Sequence, residues 1–121
     1  VPGRWVGTDA WTGEAGAMVA RRLLDTGLPD AVFASNDDIA LGLCHVLLAA
    51  GVKIPDDVAV IGFDDIPLAR WATPSLSSIT QDFDALGRVA LSLSDELVEG
   101  APAHSIHLEP QLVVRASSTR A

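Results

Sequence analysis

The fold of this chain is constrained most by short apolar runs that alternate with stretches of helical periodicity. Two runs of alanine and β-branched or aromatic residues occupy 31–34 and 58–61, and a further extended segment covers 76–80. The first two are too short for helices and are apolar at consecutive positions, as in strands buried on both faces of a parallel sheet. Between them, apolar residues recur at intervals of three and four. The alternation predicts an α/β fold with a parallel sheet.

Capping residues mark the ends of the predicted helices. Thr12 and Gly27 bound the first helix, residues 35–38 and Gly51 bound the second, and a third covers 82–99. Serine, threonine and asparagine are expected at the start because their side chains accept free backbone N–H groups, and glycine at the end because it adopts positive φ without strain.

Two further segments have extended patterns. Residues 5–7 predict a short strand before the first helix. The tail from 105 to 115 is interrupted at Pro110, which predicts either two short strands or one edge strand with a break.

The composition excludes several classes of partner. Eight Lys and Arg face sixteen Asp and Glu, so the net charge of −8 repels phosphate backbones and anionic lipids. No segment reaches the roughly 18 apolar residues of a membrane helix, and the start does not have the pattern of a signal peptide. The single cysteine, Cys44, cannot form an internal disulfide, which fits a reducing compartment. We expect a cytoplasmic chain that touches neither DNA nor membrane by itself.

Motifs for catalysis, cofactors and metals are missing from the sequence. It contains no G-x-G-x-x-G, G-x-x-x-x-G-K-[ST] or G-x-S-x-G, which removes the main support for nucleotide binding and for an α/β-hydrolase. Adjacent carboxylates such as Asp64 and Asp65 point apart on an extended chain, and His104 and His107 would face opposite sides of one. We expect no enzymatic activity, no metal and no cofactor.

Polar residues follow two of the predicted strands where those strands end. The residues Ser35, Asn36, Asp37 and Asp38 come after the run at 31–34, and Asp64 and Asp65 follow the run at 58–61. Ligands of open parallel sheets bind beyond the carboxyl ends of the strands, so these side chains are candidates for a binding site. The alternative is structural, because Asn36 is also a good helix N-cap and carboxylates in a first turn complement the helix dipole.

The second predicted helix is apolar nearly all round. A helix that lies on a sheet with its other side in water keeps a polar stripe, and residues 39–50 have little of one. Either its outer face meets another chain, or a neighbouring helix of the same chain buries it. We favour an interface, because so short a chain has few elements to cover it.

Four blocks of the chain match a known pattern in order and spacing. Residues 31–42 are AVFASNDDIALG, residues 51–67 are GVKIPDDVAVIGFDDIP, residues 73–82 are TPSLSSITQD, and the segment 111–117 contains L-V-x-R-x-S. These blocks closely resemble the effector domains of the LacI/GalR (lac/gal repressor) family of bacterial transcriptional regulators. The resemblance covers nearly the whole chain and is weakest over the first ten residues.

The resemblance implies a fold and a place within a larger protein. The fold is a three-layer, parallel-sheet lobe of a type I periplasmic-binding-protein-like domain, incomplete in this chain. Residues 1–121 would form the carboxy-terminal part of an effector-binding and dimerisation domain, and the DNA-binding headpiece is absent. The helix at 82–100 would pack on the missing amino-terminal lobe. Without that lobe we expect it to fold back, to dock on another copy, or to be poorly ordered.

The resemblance also implies site residues. Asn36 and Asp64 would hydrogen-bond the hydroxyls of an effector, Trp11 would pack on its ring, and Gln81 and Phe83 would lie at the crossover between the lobes. A carboxylate and an amide offer the acceptors and donors that vicinal sugar hydroxyls need, and an indole offers flat apolar area. The residues implied at a homodimer interface are Ile39, Leu43, Val46, Leu47, Ala50, Leu68 and Trp71.

The implied function is effector sensing. A small molecule, a sugar or sugar derivative, would bind between the lobes and alter operator binding by the headpiece. Two alternatives stay open: a monomeric periplasmic solute-binding protein of the same architecture, and an enzyme with a flavodoxin-like sheet.

Overall fold

The computed structural model describes residues 3–119 and consists of one four-stranded sheet with helices. In chain order the elements are α1 (Gly13–Thr26), β1 (Ala31–Phe33), α2 (Asp37–Ala49), β2 (Ala59–Asp64), a short 3-10 helix (Pro67–Trp71), β3 (Ser77–Thr80), α3 (Phe83–Val98) and β4 (Gln111–Val113).

The sheet is mostly parallel, with the strand order β1-β2-β3-β4. The three strands β1, β2 and β3 run parallel, and β4 pairs antiparallel with β3. The α/β class and the parallel sheet predicted from the sequence are therefore confirmed. Because the first three strands run the same way, the residues that follow each of them lie at one edge of the sheet.

The predicted caps begin and end the helices as expected. The Thr12 hydroxyl accepts a hydrogen bond from the Ala15 amide at 3.3 Å, and the Asn36 side chain accepts one from the Ile39 amide at 2.8 Å. Gly27 ends α1 with a φ of 105°. The segments 5–7 and 105–110 form no strand. An extended pattern becomes a strand only where a neighbouring backbone pairs with it, and among the described residues none does so here.

Helix α2 packs against both α1 and strand β2, and these contacts explain its apolar character. Leu43 is 1% exposed and Leu47 is completely buried, and both belong to one core cluster with residues of β2. Helices α1 and α2 approach so closely that a Cβ at Gly42 would overlap the Gly13 carbonyl. Burying a leucine side chain in this way stabilises the fold by about 1.5–3 kcal/mol.

The burial of α2 corrects part of the interface prediction. Ile39, Leu43 and Leu47 were expected at a dimer interface, but they are 5%, 1% and 0% exposed within this chain alone. Their side chains are core residues and cannot contact a second copy. The alternative, burial under a neighbouring helix, is the correct one on this side of α2. Even a short chain can bury these side chains, because α2 packs against both α1 and the sheet.

The other predicted interface residues have accessible surface. Val46 is partly buried, Ala50 is exposed, and Leu68 and Trp71 are 57% and 78% exposed. Their assignment to an interface stays a prediction.

Helix α3 has no buried residue. Several of its apolar side chains are exposed, among them Leu97 at 53% and Leu91 at 69%, whereas Val89 and Leu93 are half-buried. No face of this helix is buried against the sheet, and its packing on a second lobe stays a prediction. Its start lies beside the segment 106–110, and a cavity of about 270 Å³ separates the two.

Candidate ligand-binding site

The parallel topology brings three of the predicted site residues to one edge of the sheet. Asn36 follows β1, Asp64 is the last residue of β2, and Gln81 follows β3 directly. Since these strands are adjacent and parallel, the three residues lie side by side beyond their carboxyl ends. This is the position at which open α/β sheets bind ligands.

Asp64 and Gln81 contact each other. The Gln81 side-chain amide donates a hydrogen bond to the Asp64 carboxylate at 3.1 Å. Asp64 is partly exposed and has a φ of 101°, which lies outside the left-handed helical region where aspartate is tolerated. A non-glycine residue keeps such a conformation only where its surroundings fix it. The backbone therefore holds this carboxylate in an unusual orientation.

Asn36 and Trp11 form a second contact. The Asn36 side-chain amide donates to the Trp11 carbonyl at 3.1 Å, while its oxygen caps α2. The structural interpretation of Asn36 is thus correct, yet an amide has a second hydrogen and a second lone pair for a ligand. The Trp11 indole is 69% exposed. Phe83, the first residue of α3, is 55% exposed and lies two residues beyond Gln81.

Asp37 has a role that sequence reasoning missed. It is completely buried, whereas Asp38 beside it is exposed. Its carboxylate accepts a hydrogen bond from the Ser78 hydroxyl at 2.6 Å and one from the Ile66 amide at 2.8 Å. Burial raises the pKa of Asp37 above its ordinary value, against the opposing effect of these two hydrogen bonds. Only glycine fits at position 62, because a Cβ there would overlap the Asp37 carboxylate.

Asp65 is also bound within the protein. Its carboxylate pairs with the Arg115 guanidinium at 2.6 Å, and both side chains are at most 15% exposed. Arg115 donates a further bond to the Leu76 carbonyl at 2.7 Å. The sequence does not reveal this pair, because the two residues are 50 positions apart. Of the two adjacent aspartates, therefore, Asp65 is bound to an arginine and Asp64 lies at the open edge.

The chemical groups at this edge are those that a hydroxyl-rich molecule would require. A carboxylate, two amides and an exposed indole supply hydrogen-bond acceptors, donors and an apolar plane. Within residues 3–119, no three His, Cys, Asp or Glu side chains are grouped closely enough to hold a metal ion. Burial raises the pKa of the Cys44 thiol to about 12, which keeps it protonated at neutral pH.

Comparisons with known proteins agree with this fold. Residues 1–118 match the model of a periplasmic binding protein-like domain. A lactose operon repressor of Rhizobium radiobacter is 36% identical over 109 residues, which cover 88% of this chain and 96% of that protein.

Two solved structures share the fold. The lac repressor dimer bound to operator and the anti-inducer ONPF has a TM-score of 0.85 at 28% identity, over 91% of this chain and 39% of that one. The CelR regulator in complex with cellobiose has a TM-score of 0.80 at 37% identity, over 89% of this chain and 34% of that one. The chain thus spans between a third and two fifths of these two regulators.

The relatives are transcriptional regulators of bacteria, and none of these names denotes an enzyme. In the part of the chain that the structure describes, no helix is both long and apolar enough to cross a membrane.

Proposed function

The chain belongs to the LacI/GalR family of bacterial transcriptional regulators, and on this premise we propose that it is the ligand-sensing and dimerisation part of a sugar-responsive regulator. The effector would bind against the carboxyl edge of β1, β2 and β3 and be enclosed by a second lobe. It would then change the affinity of a DNA-binding headpiece for its operator by favouring one lobe arrangement.

The observation that carries this proposal is the group of side chains at the sheet edge. Asn36, Asp64 and Gln81 lie side by side on adjacent strand ends, with the exposed Trp11 hydrogen-bonded through its backbone to Asn36. A sugar needs both hydrogen-bond partners for its hydroxyls and an apolar surface for its C–H groups. The CelR structure, whose ligand is cellobiose, supports a saccharide as the class of effector.

Helix α3 supports the existence of a second lobe. It begins two residues after Gln81, has no buried residue and exposes several leucines. We propose that residues 82–100 pack on an amino-terminal lobe, so that the effector contacts both lobes. Phe83 would then lie at the crossover between them, next to the ligand.

The outer surface of α2 supports dimerisation through other residues than the leucines predicted from the sequence. A groove of about 400 Å³ runs between this helix and the segment 72–74, and it is lined mainly by apolar side chains, including Leu41, Leu48 and Pro74. The exposed residues Leu68 and Trp71 belong to the 3-10 helix that leads into this segment. We propose that this groove and these two side chains form the homodimer interface, in place of the buried leucines.

The regulator is favoured over the two alternatives. The relatives described above act in transcription, which does not support a periplasmic solute carrier. The edge of the sheet carries binding groups without a metal cluster in the described residues, which gives no support to an enzyme. A regulator of bacterial operons works in the cytoplasm, where we place this protein, and it would contact DNA only through its headpiece.

Titration of the full-length protein tests the effector site. Cellobiose is the first probe, followed by a panel of mono- and disaccharides, with affinity measured by calorimetry. Asp64→Ala should weaken binding by about 1–3 kcal/mol, or roughly 5- to 150-fold, because a ligand hydroxyl loses its charged acceptor. Asp56→Ala, in an exposed turn, is the matched control and should bind as the wild type does. Unchanged affinity in Asp64→Ala would remove this residue from the site, and failure of every saccharide to bind would overturn sugar sensing.

Light scattering tests the interface. The wild-type chain should have the mass of a dimer, and Leu48→Glu should convert it to a monomer by placing a charge in the apolar groove. Leu24→Glu is the control, since Leu24 on α1 and Leu48 are 38% and 36% exposed and thus equally accessible. A folded monomer in the wild type, or a dimer that survives Leu48→Glu, would contradict the proposed interface.

A further inference from the structure

A buried hydrogen-bond network lies directly beneath the edge that carries Asp64. Asp37 is at its centre, with no exposed surface. One carboxylate oxygen accepts from the Ile66 amide at 2.8 Å and the other from the Ser78 hydroxyl at 2.6 Å. The Ser78 oxygen in turn accepts from the Asp65 amide at 3.1 Å. The network therefore binds both backbone amides that follow Asp64.

The backbone at this point needs such support. Asp64 and Asp65 have φ values of 101° and 50°, and they are the non-glycine residues with positive φ in the described chain. Conformations of this kind persist only where surrounding groups fix them. The two amides held by Asp37 and Ser78 belong to Asp65 and Ile66, so the network fixes the turn immediately after the strained residue.

The side chains of the two aspartates are separated by the same turn. Arg115 binds the Asp65 carboxylate at 2.6 Å on the inner side. The Asp64 carboxylate lies at the carboxyl end of the strand, where it accepts a hydrogen bond from Gln81. The conformation of the turn thus determines which of the two aspartate side chains is accessible to a ligand.

We propose that Asp37 is a positioning residue, which acts through Ser78 and the Ile66 amide to set the orientation of the Asp64 carboxylate for the effector. The proposal rests on the proposed function of Asp64. It differs from the helix-dipole role expected of a first-turn aspartate, because Asp38 could fulfil that role equally well.

The chemistry of the network requires an acid at position 37. Both neighbours approach it as donors, and the Ser78 hydroxyl can donate to Asp37 while its oxygen accepts from the Asp65 amide. An asparagine has one acceptor and one donor at the same places. It would leave the Ser78 hydrogen or one amide without a partner, at almost unchanged volume.

The test compares Asp37→Asn with its neighbour Asp38→Asn in the full-length protein. Hydrogen exchange is followed by mass spectrometry in a peptide covering 63–67, and a peptide from 39–48 in α2 serves as the internal reference. Asp37→Asn should accelerate exchange at positions 65 and 66 on the order of tenfold, because either the Ile66 amide loses its buried acceptor or the Ser78 hydroxyl that binds the Asp65 amide loses its own. The reference peptide should be unchanged, and Asp38→Asn should leave both peptides as in the wild type.

Two outcomes would overturn the proposal. One is a folded Asp37→Asn protein in which the 63–67 peptide exchanges as slowly as in the wild type. The other is an equal acceleration in both peptides, because that would be a loss of overall stability and not of the turn. If Asp37→Asn does not fold, Ser78→Ala removes the acceptor of the Asp65 amide and the hydroxyl that donates to Asp37, and it leaves the bond from the Ile66 amide to Asp37 in place. It should accelerate exchange at position 65, and no acceleration there would also overturn the proposal.

Ligand binding separates this proposal from the function of the site. With cellobiose as the probe, Asp37→Asn should raise the dissociation constant about tenfold or more while Asp38→Asn leaves it unchanged. If Asp64→Ala weakens binding and a folded Asp37→Asn does not, the positioning role is wrong. If the wild type binds no saccharide, the proposed function is wrong, and the exchange experiment still decides whether Asp37 fixes the turn.

Discussion

Helices α2 and α3 both carry apolar residues at helical spacing, but the structure buries one of them and leaves the other exposed. Helix α2, Asp37–Ala49, packs against α1 and the sheet and has six buried residues. Helix α3, Phe83–Val98, is longer and buries none. Each has a capping aspartate or asparagine and leucines at helical spacing, so the helices themselves do not explain the difference.

The difference lies in what the rest of the chain offers. α2 has two partners within the described residues, and its glycine at 42 allows one of them to approach to backbone contact. Helix α3 begins three residues after the end of β3, and none of its residues is buried. Helical stability in proteins comes mainly from packing of the apolar face. A helix whose face is open is therefore a surface for a partner, which agrees with the second lobe that we propose.

The largest effect is expected from truncating a core leucine of α2. Leu47→Ala should reduce the free energy of unfolding of this chain by about 2–5 kcal/mol, because Leu47 is completely buried and the surrounding core cannot collapse fully. Urea denaturation followed by circular dichroism measures the change. A loss smaller than about 1 kcal/mol would show that α2 is not packed as described.

Glycine substitutions should give effects of opposite sign in the two helices. Gly42→Ala is expected to destabilise the chain by about 1–3 kcal/mol, because the new methyl group would overlap the Gly13 carbonyl and force the helices apart. Gly87→Ala in α3 has open space around it and should stabilise by about 0.4–1 kcal/mol through helix propensity. Thermal unfolding of both variants measures the two changes, and a shift in the same direction for both would remove the contrast between the helices.

The sequence predicts the helices and the parallel strands because their signals are local. Thr12 and Asn36 cap helices by contacts within three residues, and the runs at 31–34 and 58–61 can be recognised as buried strands from their own apolar residues. The elements that bury α2 cannot be identified from the sequence of the helix itself. A helix that is apolar nearly all round is compatible both with a dimer interface and with burial under a neighbouring helix. For this reason the sequence predicts an interface for Leu43 and Leu47, whereas the structure places them in the core.

The shared position of the candidate site residues was predictable to the extent that it follows from the topology. Once the strands are parallel, Asn36, Asp64 and Gln81 must share an edge. The roles of Asp37 and Asp38 could not be separated in the same way, since they are identical residues in one helical turn. The hydroxyl that distinguishes them belongs to Ser78, which is 41 positions away from Asp37. Only the tertiary structure shows which aspartate is buried.

The smallest effect in this chain is expected from α3, and it should depend on the length of the protein. Leu97 is 53% exposed, so Leu97→Ala should change the stability of the 121-residue chain by no more than about 0.5 kcal/mol. In the full-length protein the same side chain would lie against the amino-terminal lobe, and its loss should cost about 2–5 kcal/mol, as for Leu47. Parallel denaturation of both forms makes the comparison. A small loss of stability in both forms would mean that α3 stays exposed and that its apolar face is not the contact between the lobes. A large loss in the longer protein alone would identify the amino-terminal lobe as the partner of α3.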